Sequence, residues 1–147
     1  DDVFIAISCA NVNSHIQQAL EAGTKAIILE EKDQGDWQNR YPLVQFIVVP
    51  NARYTLAQIA KALYNDQPSH TVAVTGTNGK SSTVHLARQL WGGCGYSAAS
   101  LGSLGLVINQ TEETTLGLPA LNTLDPFSAH KALHYLKQQG IDYLAFE

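Results

Sequence analysis

The chain has no methionine, two cysteines and only 15% charged residues, and each shortage narrows the reading. Cys9 and Cys94 lie far apart and lack C-x-x-C or zinc-ligand spacing, so they read as small apolar residues of a reducing compartment, expected in the interior. Basic residues number 9 against 13 acidic ones, a formal net charge of −4. No basic stripe is therefore available to neutralise a nucleic-acid backbone. Trp37 and Trp91 stand alone in sequence, which leaves no aromatic platform for bases. No apolar run approaches the ~20 residues of a membrane-spanning helix, and no charged–apolar–small leader opens the chain. The start, Asp1-Asp2-Val3, has no initiator Met and reads as a cut N-terminus.

What is present describes a globular α/β protein. At 147 residues and 45% hydrophobic content, the chain can bury a core as one domain or two small ones. Short apolar runs at Val3–Ile7, Ala26–Leu29 and Val44–Val49 predict strands. Between them Asn13 or Ser14 is expected to cap a helix with Ile16, Ala19 and Leu20 on one face, stopped by Gly23. Residues 31–40 read as a surface loop, and Asn51 should cap a helix carrying Leu56, Ile59, Ala60 and Leu63. The polar, proline-broken segment 64–70 is the expected boundary between an N-terminal domain, 1–66, and a second domain, 67–147.

The second part opens on the most informative stretch, Thr71 to Ser82. A β-branched run ends in Gly76-Thr77-Asn78-Gly79-Lys80-Ser81-Ser82, and a helix follows to Gly92-Gly93. Glycines let several N–H groups curl toward one anion, and a helix N-terminus adds a favourable dipole. Lys80 offers a point charge to phosphates, and Ser81 an oxygen to Mg²⁺. The general phosphate-loop pattern would place a glycine at Val74, so this is a shorter variant, Gly76-x-x-Gly79-Lys80-Ser81.

Further on, the sequence predicts a strand at 96–100, a hairpin over 104–115, and a helix capped by Asp125 with Pro126 at its first position. That helix carries Phe127, Ala129, Ala132, Leu133 and Leu136 and ends at Gly140. A buried strand, Ile141–Phe146, then delivers Glu147 to a strand's carboxyl end, the edge of an open α/β sheet where ligands bind. Strands ending in the phosphate loop and in Glu147 could share one hard cation. His130 and His134 have metal-ligand spacing, but Lys131 stands where a zinc protease needs Glu, so they read as structural, as does His85.

Val74 to Thr83 resembles the ATP-binding loop of the Mur ligases, and four further landmarks follow the same order. Residues 2–7 with 22–30 resemble the N-terminal UDP-binding domain of that family. Ser100-Leu101-Gly102-Ser103-Leu104-Gly105 is similar to the Gly-Thr-Leu-Gly segment of the branch that adds the third peptide residue. Leu121-Asn122-Thr123-Leu124-Asp125-Pro126 is similar to its Thr-Thr-Pro-Asp-Pro, and Tyr143 to Glu147 to the start of its Met-Glu-x-Ser-Ser-His. Departures occur at Cys9, where the family has Gly, and at Asn13-Ser14-His15, where it has Asp-Gly-His.

The resemblance implies a small N-terminal α/β domain followed by the first part of a parallel-sheet ATP-binding domain. It further implies a cytoplasmic, monomeric, ATP- and Mg²⁺-dependent amide ligase of peptidoglycan precursor synthesis. Such an enzyme joins an amino acid, meso-diaminopimelate or lysine, to a UDP-MurNAc-peptide through an acyl phosphate. On this reading Gly76, Thr77, Asn78, Gly79, Lys80, Ser81 and Ser82 hold ATP, and Lys80 is the catalytic residue meeting its terminal phosphates. Ser81 and Glu147 hold Mg²⁺, and Asn11, Asn122 and Thr123 touch the UDP-linked substrate. The family's carbamylated lysine and C-terminal domain are not in these residues, so a chain of this extent is expected to be inactive alone. The dipeptide-adding ligase, folylpolyglutamate synthetase and a non-catalytic nucleotide-binding module remain alternatives.

Overall fold

A computed structural model describes residues 2–114, 116–117 and 124–147. Contacts divide the chain into two compact units, 1–59 and 60–147. In the first, β1 (Val3–Ile5), β2 (Ala26–Glu30) and β3 (Gln45–Val49) form a parallel sheet in that order. Helix α1 (Val12–Glu21) connects β1 to β2 and buries Val12, Ile16 and Ala19. The cap falls at Asn11, two or three residues earlier than the Asn13 or Ser14 expected from sequence, because Val12 belongs to the core and draws the first turn inward. Asn11 takes the N-cap without a side-chain capping bond. Gly23, at φ 87°, lets the chain turn away from α1 toward β2.

The segment 31–40, expected as a loop, holds a 3-10 turn (Glu31–Asp33) and a short helix α2 (Trp37–Arg40). The cause is Trp37, which lies 8% exposed in a core with Ala6, Val12, Ile16, Ile27 and Leu29. Arg40 covers its ring, the guanidinium carbon 5.0 Å from the centroid. Helix α3 (Ala52–Leu63) begins as expected, with Asn51 Oδ1 accepting the Tyr54 N–H at 2.9 Å. A second acceptor serves the same end, since Glu30 Oε1 takes the Ala52 N–H at 3.0 Å. The Glu30 carboxyl sits below its ordinary range, first through Lys32 and then through this N–H. Leu63 departs from the expected apolar stripe: at the last residue of α3 it is exposed, whereas Ala60 is fully buried.

The second unit has a five-stranded mixed sheet. Its strands are β4 (His70–Ala73), β5 (Ala98–Gly102), β6 (Gly105–Ile108), β7 (Thr111–Glu113) and β8 (Tyr143–Phe146), in spatial order β4-β8-β5-β6-β7. The first three of that order run parallel, and β6 and β7 add antiparallel hairpins in the expected region. Helices α4 (Lys80–Gly93) and α5 (Pro126–Gln138) cover opposite faces. Alternation along β5 shows this: Ala99 and Leu101 join Ala132 and Leu136 of α5, whereas Ser100 meets Arg88 of α4. The α5 side is the core, closed by Leu106, Ile141 and Leu144, and truncating Leu136 to Ala there costs about 2–5 kcal/mol. Asp125 caps α5 as expected, its Oδ1 accepting the N–H groups of Phe127 and Ser128 at 2.9 and 3.1 Å.

One expectation fails, that of buried cysteines. Cys9 and Cys94 are both exposed, because they fall at turns beside α1 and α4 and not on the apolar faces of either helix. The segment 64–70 has partners within the second unit. Pro68 is fully buried, Ser69 Oγ bonds Asp142 at 3.1 Å, and the Tyr64 ring meets Phe127 edge-on at 5.3 Å. Composition reported its polarity and not the groups waiting to receive it.

Candidate functional site

The site grows from two neighbouring parallel strands. β4 pairs with β8 up to Ala73 opposite Phe146, and the ladder extends one bond further, from the Val74 N–H to the Phe146 carbonyl at 2.8 Å. Beyond that point β4 becomes the glycine loop. Gly76 (φ 145°) and Gly79 (φ 78°) both occupy positive-φ conformations that a side chain disfavours. Gly79 is also the N-cap of α4, so no side chain caps that helix. The N–H groups of the first turn are thereby left to an outside acceptor. Lys80 opens the helix, and Thr83 Oγ1 bonds back to the Gly79 carbonyl at 2.8 Å.

The end of β8 supplies the acid. The Glu147 N–H donates to the Leu101 carbonyl at 3.0 Å, which fixes the residue beside the end of β5. Its Oε1 accepts the Ser103 N–H at 3.0 Å and the Ser103 hydroxyl at 3.1 Å. Ser103 Oγ in turn lies 2.8 Å from Ser81 Oγ, so one hydroxyl links the phosphate loop to the acid. Burial alone would push the Glu147 carboxyl up, but the Ser103 N–H, the Ser81 and Ser103 hydroxyls and the Lys80 charge outweigh it and hold it below the ordinary range. Gly102 makes room: a Cβ there would come within 2.7 Å of the Glu147 side chain.

Of the residues singled out from sequence, the fold brings Lys80, Ser81 and Glu147 to one sheet edge, with Gly76 to Gly79 beside them as an exposed loop and Ser82 exposed in the first turn of α4. Asn11 belongs to the other unit, at the head of α1. Asn122 and Thr123 lie outside the described residues. Sequence reasoning did not single out Ser103, although it sits in the Ser100–Gly105 segment; a hydroxyl just past a strand's carboxyl end was the available signal. The donor set suits a small hard cation: two hydroxyls and an ionised carboxylate, all oxygen. Among the described residues no cluster of three or more His, Cys, Asp or Glu forms, so such a cation would lean on ligand phosphates as well. His134 faces Asp66 at 3.9 Å and the Tyr64 ring, in keeping with a structural role.

The sequence pattern described as the Mur ligase middle domain matches residues 74–147, which takes in the loop, Ser103 and Glu147. The chain belongs to the Mur ligase family. It is 35% identical over 147 residues to the UDP-N-acetylmuramoyl-L-alanyl-D-glutamate–2,6-diaminopimelate ligase of Rickettsia bellii, covering 100% of this chain and 29% of that one. Its identity to the ligase of the same name from Bradyrhizobium diazoefficiens is 34%, over 99% of this chain and 28% of the relative. A solved structure of a ligase with that name superposes with a TM-score of 0.72 at 24% identity, over 98% of this chain and 28% of the other, and supports the fold. The chain thus spans under a third of the length of these relatives. Among the described residues no helix is long and apolar enough to cross a membrane.

Proposed function

We propose that this chain is the UDP-substrate and ATP-loop portion of a cytoplasmic, monomeric ligase that adds the third amino acid to UDP-MurNAc-L-Ala-D-Glu. The observation that carries this reading is the Ser81–Ser103–Glu147 hydrogen-bonded chain at the mouth of the glycine loop. It supports a site for a polyphosphate and a divalent cation. The proposal includes the sequence-based division, 1–66 toward the uridine nucleotide and 67–147 as the start of the ATP-binding domain. The names of the relatives favour 2,6-diaminopimelate over lysine as the added amino acid.

In this reading the loop amides from Gly76 to Ser82 receive the ATP phosphates, and Lys80 places its ammonium on the terminal ones. Ser81 and Glu147 would hold Mg²⁺, which when bound supplies positive charge to the phosphoryl oxygens. Ser103 holds Glu147 ionised and aimed before any ligand arrives. The substrate's D-glutamyl carboxylate attacks the γ-phosphorus of ATP and ADP leaves; the amine of the incoming amino acid then attacks the acyl carbon and phosphate leaves. Catalysis by these residues is positional and electrostatic. Asn11, Asn122 and Thr123 would orient the UDP-linked substrate.

The deciding experiment measures ADP release by the full-length protein with Mg·ATP, UDP-MurNAc-L-Ala-D-Glu and meso-diaminopimelate, each omitted in turn. Release that needs all three is the expected result. ATP binding without acceptor-dependent release would favour a non-catalytic nucleotide-binding module, and release with lysine alone would move the amino-acid assignment.

A further inference from the structure

At the end of the second sheet opposite the glycine loop lies a buried charge without a counter-charge. Arg88 of α4 is 4% exposed. Its Nε donates to Ser100 Oγ at 3.1 Å and its Nη2 to His85 Nδ1 at 3.1 Å, both neutral acceptors. Among the described residues no carboxylate pairs with it. The nearby carbonyls at the end of α4 offer little, because the N–H groups of Cys94, Gly95 and Tyr96 already bond those of Leu90, Gly92 and Trp91 at 3.0 Å. A buried cation in that position is costly until an anion reaches it.

An anion has a way in. Arg88 lines a groove of about 980 Å³, bounded also by Gln89, Gly92, Gly95, Tyr96 and Asn109. Tyr96 stacks on Tyr143 with centroids 4.4 Å apart, and Tyr143 stacks on His70 at 4.5 Å. Tyr96 nevertheless remains 49% exposed, so the ring braced by this stack still offers surface to the groove. The groove thus combines a guanidinium with the side-chain amides of Gln89, which also meets His85 at 2.9 Å, and Asn109, whose Oδ1 accepts the Ala98 N–H, and with an aromatic surface.

We propose that this groove binds a small organic anion, a carboxylate or phosphate carried on a flat ring, with the oxyanion on Arg88 and the ring against Tyr96. With Nε–H on Ser100 and one Nη2 hydrogen on His85, the guanidinium keeps its Nη1 hydrogens and the second Nη2 hydrogen for either oxyanion, and ring stacking adds selectivity without demanding one ligand. The groove follows the second half of α4 and the amino end of β5, whereas the glycine loop meets the first turn of α4; His85 and Ser100, which hold Arg88, lie between the two.

The test is a ¹⁵N-resolved titration of the full chain carrying Lys80→Ala, which quiets the phosphate loop, with phenyl phosphate, benzoate and inorganic phosphate. The expected result is saturable shifts of the Arg88 Nε–H and the Gly92, Gly93 and Gly95 amides with a ring-bearing anion. Whichever of phenyl phosphate and benzoate saturates at lower concentration identifies the oxyanion. Arg88→Lys, which keeps the charge and loses the fork, should weaken binding about tenfold. Tyr96→Ala should weaken the ring-bearing ligands and leave inorganic phosphate unchanged. Shifts confined to residues 76–82, no saturation in the Lys80→Ala chain, or groove shifts undiminished in Arg88→Lys would each overturn the proposal. Should Arg88→Lys fail to fold, as read by thermal melting, the Lys80→Ala and Tyr96→Ala titrations still decide it.

Discussion

At their carboxyl ends, β4, β8 and β5 lead into Gly76, Gly79 and Gly102, a lysine, hydroxyls and one carboxylate; at their amino ends lie His70, Tyr143 and Tyr96 in a stack, in a region whose groove Arg88 lines. The first end is open backbone, where Gly79 leaves helix N–H groups for a ligand. The second end is side-chain surface, and its backbone groups at the close of α4 are already satisfied. A parallel sheet gives every strand the same polarity, so loops at one end lead into helix N-termini and those at the other follow helix C-termini. The difference teaches that polyphosphate recognition here belongs to one edge, while the other edge can recognise an anion only through a side chain.

Removing the acid should break the first end most severely. Glu147→Gln keeps the shape and deletes the charge that Ser103 holds in place. In the full-length protein kcat should fall about 100-fold with ATP KM little changed, because the lost interaction matters most as charge moves. An unchanged kcat would make Glu147 merely the end of a strand. Lys80→Ala comes next: Mg·ATP affinity by calorimetry should drop roughly 10–100-fold, the worth of a charge-assisted contact. Equal affinities would count against the loop as the phosphate site.

How far the two ends were legible in the sequence follows from the same contrast. Gly76 to Ser82 is contiguous, and its turn, lysine and hydroxyls all act within one loop, so the motif announced itself. An acid at a strand's end is ordinarily only solvated, and the resemblance to the family's motif is what singled out Glu147. Ser103 escaped, since its role depends on Gly102 letting the acid lie close, a tertiary fact. Arg88, Tyr96, His70 and Tyr143 come together only through β4-β8-β5 pairing, and no local pattern could have joined them. The same applies to Trp37, whose burial turned an apparent loop into helix, and to 64–70, whose partners Asp142 and Phe127 lie far along the chain.

A substitution away from both ends sharpens the comparison. Asp125 caps α5 and belongs to neither edge; burial raises its carboxyl, but bonds from Ser128 and Phe127 prevail and hold it low. Asp125→Ala should cost about 1 kcal/mol in urea unfolding and leave Mg·ATP affinity intact. A folded-state pKa below the unfolded one adds stability that is present above the unfolded value and is lost as pH falls through the folded one. The cap's contribution should therefore vanish in acid and persist at neutral pH.

The smallest expected effect isolates Ser103. Ser103→Ala removes one hydroxyl bond to Glu147 and the link to Ser81, but the backbone N–H remains on Oε1. The carboxyl should consequently move up toward its ordinary range without reaching it. Since the ionised form is the one able to hold a cation, activity rises with pH through this pKa, and the acid limb of the kcat profile should shift to higher pH in Ser103→Ala. At neutral pH the carboxylate is ionised in both proteins, and kcat should fall only a few-fold from looser aim, as expected for losing one modest hydrogen bond. Ser103→Thr, which keeps the hydroxyl, should restore the wild-type limb. A Ser103→Ala profile that is lower at every pH but not displaced would mean the hydroxyl acts on Ser81 alone, and that the backbone N–H suffices to hold the acid.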